Sequence, residues 1–484
     1  MRNCCWLRSC SLRTAVAFLV IAVVPLVARA QIGGGGIGGG IGGGGIGGGG
    51  IGGGLNTVGD QQAGVYIDAR GVLKRRVVPA PPGELKRIAA RARQTLGPRL
   101  SRGSDLRKIS LNRLEKAVAA QIAKGEPLPD EMRYLAGLLR VQNVFFYPET
   151  GDIVLAGPAE GFAEDPAGRV RGLGTGRPVL QLQDLATALR AYPPDGSTLN
   201  QISVSIDPTD EGLARLQKFL GRYRSMPRNP QAFAEAMRKQ LGLQTVSVNG
   251  VSPKTHFAQV LVESDYRMKL IGIGLEKPPV DMNTFIEVAK PGALAGNALV
   301  RWYFVPNYEC VRVSEDGLAM RMEGWGVKLI GAHELVRQSG GRVEGAKESR
   351  ASKAFCHSFT EQYPKLANRA PVYAELRNLI DLSVAAAFIQ QQDYYRQAGW
   401  DLGVLADETR YSVETYSVPK HVESAVNVVF KGNALMTPIG GGVDIQPLRA
   451  LKRENQLPDD DGEVAATKKR LDLESLPEGQ WWWD

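Results

Sequence analysis

The chain has 484 residues, 43% of them hydrophobic, and 59 Lys and Arg against 50 Asp and Glu give it a formal net charge of +9. Such a composition is that of a globular chain long enough for two domains with proper cores, and it excludes a collagen-like or wholly disordered protein. The basic excess is too small to mark a dedicated nucleic-acid binder.

Arg2, Arg8 and Arg13 precede an apolar run from Ala15 to Val24, and Ala28, Arg29 and Ala30 stand just before Gln31. A basic stretch, a short apolar stretch and an A-x-A site make residues 1–30 a secretory signal peptide, with cleavage expected before Gln31. The run is far short of the roughly 20 residues of a spanning helix, so no transmembrane segment is expected after cleavage. The expected location is therefore periplasmic or extracellular, and loss of the four signal-segment arginines leaves the exported chain only mildly basic. Cys4, Cys5 and Cys10 leave with that segment; Cys310 and Cys356 remain and could pair in an oxidising compartment.

Residues 33–54 are nearly pure glycine, punctuated by Ile37, Ile41, Ile46 and Ile51. Glycine loses the most backbone freedom on ordering and so few side chains cannot offset it, so residues 31–55 read as a flexible tether. The regular isoleucines also allow a sticky tether that pairs with other chains.

A first α+β domain is expected over residues 56–250. Val65 and Ile67 share a strand face, Ala69 to Gly71 offers a turn, and Val72 to Val78 completes a hairpin. Leu85, Ile88, Ala92 and Leu96 recur at helical spacing, and Ser110 caps a helix carrying Leu111, Leu114, Val118 and Ile122. A third helix is expected from Asp130 to Arg140, then a hairpin of Val141 to Tyr147 with Asp152 to Ala156, a short helix near Leu182 to Arg190, and a strand through Ile202, Val204 and Ile206. Asp207 and Pro208 are placed at the start of a helix bearing Leu213, Leu216 and Phe219.

A second α+β domain is expected over residues 251–446. Phe257 to Glu263 reads as helix, and Asn297 to Gly331 as short strands with a turn at Asp316 and Gly317. Helices follow at Ala351 to Tyr363 and Val372 to Ala398, with strands near Tyr411 to Val418 and Ala425 to Phe430. Residues 447–484 read as a polar, mostly disordered tail ending in Trp481, Trp482 and Trp483. Hairpins mixed with helices argue for an α+β arrangement over a doubly wound sheet.

Motifs that would carry chemistry fail one by one. His333 and Glu334 open a zinc-protease pattern, but Arg337 stands where the second histidine belongs, and no metal is expected. Gly340 and Gly345 have P-loop spacing, yet Ala346 replaces its lysine. Gly172, Gly174 and Gly176 run into Pro178 rather than a helix, which removes the context of a dinucleotide site, so no cofactor is expected. Asp459 to Gly462 resembles the middle of a calcium loop whose end ligands would be Leu457 and Lys468. Cys356 and His357 are neighbours that point about 100° apart on a helix. Only His256, His333, His357 and His421 are available as imidazole bases, and none has a partner at motif spacing.

One segment stands out electrostatically: residues 70–116 hold 14 Lys or Arg against 3 Asp or Glu. Arg70, Lys74, Arg75, Arg76, Lys86, Arg87, Arg91 and Arg93 are its candidate contacts to an anionic envelope polymer or lipid head groups. No aromatic residue lies between Tyr66 and Tyr134, so stacking on bases has no platform and sequence-specific nucleic acid is not expected.

The stretches YIDARGVL (66–73), LNRLEKAVAAQI (111–122), VFFYPETGDIVLAGPAEGF (144–162), SIDPTDEGLARLQ (205–217), DYRMKLIGIGLE (265–276), ELRNLIDLSVAAAFI (375–389) and GGGVDI (440–445) resemble an uncharacterised exported family of planctomycete bacteria. That family is a domain of unknown function. The resemblance implies an envelope or extracellular address and brings no catalytic residues. The reading is an exported structural or binding protein of the cell envelope whose biochemical activity is left open, the alternative being an extracellular hydrolase whose site is assembled from distant residues.

Overall fold

Alternating side chains open the folded part of the chain. Gln62–Ile67 and Val72–Val78 pair antiparallel, and Asp68 closes their turn by accepting the backbone N–H groups of Arg70 (2.9 Å) and Val72 (3.0 Å). The structure, a computed structural model, describes residues 62–78, 83–197, 199–223, 229–290, 298–336, 342–344, 349–431, 433–459, 461–470, 476–477 and 479–484. The signal peptide and glycine-rich tether read from the sequence lie outside these residues, as do Gly340 and Gly345.

The hairpin forms one edge of a large mixed sheet. Its strands run in the order Gln62–Ile67, Val72–Val78, His421–Glu423, Leu243–Asn249, Ile202–Asp207, Asn433–Ile445, Ala298–Pro306, Val327–Val336 and Arg342–Glu344, and Val426–Lys431 pairs with Asn433–Ile445 off this path. A second sheet comprises Gln456–Leu457, Val311–Val313, Ala319–Met322, Asn143–Tyr147, Asp152–Ala159, Ser104–Ser110 and Trp482–Trp483. The fold is mixed helix and strand, as the sequence pattern predicts. Strands from before and after residue 250 share both sheets, and the described residues form one compact unit. The division expected at 250/251 thus falls inside shared sheets.

Two helices form the centre. His256–Gly272 packs on the strands Ile202–Asp207 and Asn433–Ile445, and Pro371–Gln391 packs on His256–Gly272, Leu182–Ala191 and Arg350–Arg369. Every residue from Val372 to Ile389 is buried. Leu376, Ile380 and Phe388 each contribute about 1.5–3 kcal/mol by leaving water. The same burial strands Glu375, Arg377 and Asp381 away from solvent, where a charge is tolerated only with partners.

Several local expectations need correcting. The helix expected over 130–140 stops at Asp130–Arg133, because Leu135 and Ala136 take positive φ values of 44° and 51° and turn the chain. The helix after residue 207 is Asp210–Leu220, capped by the Thr209 hydroxyl on Gly212 N–H, with Pro208 preceding the cap. Asp393, with φ of 56°, ends the long helix at Gln391 and separates off Tyr394–Ala398. No strand forms over 411–418. The end of the chain is not the loose tail expected of it: Trp482–Trp483 pairs with Ser104–Ser110, and all three terminal tryptophans are at most 8% exposed. Arg107, fully buried, grips the Asp484 carboxylate at 2.7 and 3.0 Å and lies over the Trp482 ring. A sequence reading of polarity misses this, since aromatic residues anchor through area and not through periodicity.

Candidate functional site

The basic segment divides in two. On the hairpin, Asp68 lies 3.5 Å from Arg70 and 3.6 Å from Lys74, and Glu276 lies 3.3 Å from Arg75. Arg76 and the helix Glu84–Thr95 supply the rest. That helix buries Ala89 and packs Ala92 and Leu96 against Leu173 and Ala163. Lys86, Arg87, Arg91 and Arg93 are exposed. Arg93 donates to the Leu173 carbonyl (3.4 Å); Arg76, Lys86, Arg87 and Arg91 have no carboxylate partner among the described residues. A narrow apolar stripe and a wide basic face are what the 3.6-residue period of this sequence dictates.

Cys310 and Cys356 are both buried and no disulfide joins them. Burial pushes the Cys310 thiol up to about 12, so it is a poor nucleophile at neutral pH. Cys356 lines a groove of about 500 Å³ together with Trp325, Lys328, Lys353 and His357. His357 points outward at 73% exposure and pairs with Glu361 at 3.2 Å, so the neighbouring Cys356 and His357 form no dyad. His333 and Glu334 lie in the strand Val327–Val336, opposite Val300 and Leu299, rather than at a helix start. The Nδ1 of His421 is buried without a hydrogen-bond partner among the described residues.

His256 is different, and motif spacing gives no warning of it. It is the first residue of His256–Gly272, a helix capped by the Thr255 hydroxyl. Its Nδ1 donates to the Asp184 carboxylate, 2.9 and 3.1 Å from the two oxygens, across 72 residues of sequence. Burial opposes the imidazolium, but Asp184 by charge and hydrogen bond, with Glu375 further off, outweighs it and raises the histidine above its ordinary 6.5. Nε2 lies 3.4 Å from the Gln181 amide and the ring lies beside Tyr416. The side chain keeps 15% exposure. A carboxylate-oriented imidazole can exchange protons through Nε2. No Ser, Thr or Cys side chain hydrogen-bonds it among the described residues, so the pair lacks a nucleophile.

Beyond His256 the charges continue as a closed network. Arg169 pairs with Glu263 (2.5 Å) and with Glu375, and Arg267 bridges Glu263 (3.4 Å) and Glu276 (2.7 Å). Deeper still, Lys269 meets Asp265 at 2.8 Å and donates to the carbonyls of Ile206 and Gly441. Burial shifts these two toward neutrality from opposite sides, taking Asp265 up to about 6 and Lys269 down.

The glycine trio also has a job. Gly174 N–H, Thr175 N–H and the Thr175 hydroxyl all donate to the Glu160 carboxylate, at 2.8, 2.9 and 2.5 Å. A Cβ on Gly172 or Gly174 would stand 1.9 or 2.3 Å from a Glu160 oxygen. The loop is a carboxylate cradle filled from within the chain. Asp459 and Gly462 precede the helix Glu463–Lys469, and among the described residues no cluster of His, Cys, Asp or Glu could hold a metal. No helix of the described residues is long and apolar enough to cross a membrane.

Residues 204–285 match the model of a family described as a protein of unknown function, DUF1598. The matched stretch runs from the central strand Ile202–Asp207 through His256–Gly272, and so carries His256, Glu263, Asp265 and Lys269. No curated protein and no solved structure matches the chain.

Proposed function

We propose that this chain is an exported binding protein of the cell envelope, held by its glycine-rich segment, that engages an anionic polymer or lipid head groups through the exposed basic face of Glu84–Thr95. The observation that supports the reading is the set Lys86, Arg87 and Arg91: exposed, on one short helix, and without carboxylate partners among the described residues. Like charges so arranged raise the local potential and attract a polyanion at long range. The signal-like N-terminus and the resemblance to exported planctomycete proteins support an address outside the cytoplasm. Two assays test it. Mass spectrometry of secreted material should find Gln31 as the first residue, and binding to anionic vesicles or acidic polysaccharide should weaken steeply from about 50 to 200 mM salt, because counterion release loses its advantage. Binding unchanged by salt would rule out this mode.

The hydrolase alternative has one observation in its favour, the Asp184–His256 pair. Its test is His256→Gln, with folding checked in parallel. A folded variant that loses a hydrolytic activity about 100-fold, or about 2.7 kcal/mol of transition-state stabilisation, would establish the enzyme; retention within a few-fold supports the binding protein.

A further inference from the structure

Beneath the turn that joins Ala319–Met322 to Val327–Val336, positive charge is buried in excess. Arg140 donates Nε to Asp381 at 2.7 Å and Nη1 to the Gly324 carbonyl at 3.0 Å, while its Nη2 is buried with no hydrogen-bond partner among the described residues. Arg377, on the long central helix, is 8% exposed and has no hydrogen bond or ion pair among the described residues. Arg177 adds a third positive charge felt by Arg377 and donates to the Asn368 amide oxygen at 2.8 Å instead of a carboxylate. Tyr363, also near, has its hydroxyl committed to the Tyr373 carbonyl at 2.7 Å. Among the described residues Asp381 is the carboxylate that acts most on Arg377, and Arg140 holds it.

The groups converge on one point. Gly326, with φ of +72°, brings backbone so close that a Cβ there would lie 3.2 Å from Arg377 Cγ, 3.2 Å from Asp381 Oδ1 and 3.6 Å from Arg140 Nη2. A buried ion without a counter-charge costs several kcal/mol even after relaxation. Burial, with Arg140 adding to it, pushes Arg377 down to about 10, yet a guanidinium stays charged at neutral pH. The groups left over are donors in a planar fork, the geometry that fits a carboxylate or phosphate in two parallel bonds.

We propose that Arg377 and Arg140 form a binding site for a small oxyanion, a carboxylate or phosphate group, seated beneath the Gly324–Gly326 turn. The site is separate from the basic face of Glu84–Thr95 and does not depend on it. Its ligand supplies the missing negative charge, and the remaining exposure of Arg377 is where that ligand enters. A free ion and a group borne on a polymer share this chemistry, and the size of the responding probe tells them apart.

The test is thermal unfolding of the full exported chain at constant ionic strength, with chloride replaced stepwise by phosphate, by acetate, or by polygalacturonate. A ligand that binds only the folded state raises the midpoint with concentration. Wild type should respond to at least one probe: to the free ions if the ligand is small, to the polymer alone if it is a chain-borne carboxylate. Arg377→Met should fold in chloride with equal or greater stability, since it removes an unpaired buried charge, and should lose at least about tenfold in calorimetric affinity for the responding probe. Arg377→Lys keeps the charge without the fork and should lose a similar factor, which preserves the test if the methionine variant fails to fold. Lys239→Gln, on the exposed side of Pro230–Leu241, should bind the responding probe as wild type does. A wild-type midpoint indifferent to all three probes, or an Arg377→Met or Arg377→Lys variant that binds as tightly as wild type, overturns the site.

Discussion

Two arginine-rich regions of this chain, both built on the helix Pro371–Gln391, resolve their buried charge in opposite ways. At its start Glu375 joins Glu263 in holding Arg169, and Arg267 adds Glu263 and Glu276, so each guanidinium has a carboxylate. Near the Gly324–Gly326 turn Asp381 pairs with Arg140, and neither Arg377 nor Arg177 has a carboxylate partner among the described residues. Burial by itself therefore does not distinguish scaffold from site. The count of partners does: a closed network fixes the packing of central helices, and an open one has room for a ligand.

The largest test breaks the closed region. Arg169→Met leaves Glu263 and Glu375 buried without their shared cation and should cost about 3–5 kcal/mol in urea unfolding. A cost below about 1 kcal/mol would mean that the network is not what orders these helices. In the open region Asp381→Asn removes the carboxylate that pairs with Arg140, so the loss in chloride should approach about 3 kcal/mol. Added phosphate should then recover more stability than it adds to wild type. An equal or smaller recovery would count against a shared cluster of Asp381 with Arg140 and Arg377.

How much of this was readable beforehand follows from the range of each interaction. The first hairpin, the Ser110-capped helix and the Leu182–Ala191 helix are written in local period and capping residues, and they form as the pattern predicts. The basic face of Glu84–Thr95 was legible for the same reason. Asp184 and His256 lie 72 residues apart, and Arg140 and Asp381 lie 241 apart, so no spacing rule could pair them. A hint was present in the stretch 372–389, where Glu375, Arg377 and Asp381 interrupt an apolar run too long to be amphipathic. Charges in such a run must be buried, and so must have partners or need them.

A gentler test lies at the rim of the closed network. Asp184 holds His256 above 6.5, so the imidazolium contributes stability that is fully present below pH 6.5 and is lost as pH rises through the folded-state value. Asp184→Asn should remove about 1.5–3 kcal/mol near pH 6 and less above that value, and the histidine titration followed by NMR should move down. Glu375 and Arg169 also act on this ring with opposite signs, so Arg169→Met should move it up. A titration unmoved by either change would detach His256 from the network.

The smallest expected change in stability is on the exposed face, which completes the comparison by adding charge that is neither closed nor buried. Lys86, Arg87 and Arg91 are exposed and meet no carboxylate among the described residues. Water already solvates them, so replacing all three with Gln should leave unfolding within about 0.5 kcal/mol of wild type. Glutamine is also close to lysine and arginine in helix propensity, so the backbone has no reason to respond. Binding should respond strongly, because each neutralised contact releases condensed counterions. Losing three contacts should flatten the slope of log affinity against log salt by about 2–3 for a densely charged polymer. A variant with the wild-type slope would show that polyanions reach the chain elsewhere, and the turn above Arg377 would be the next place to look.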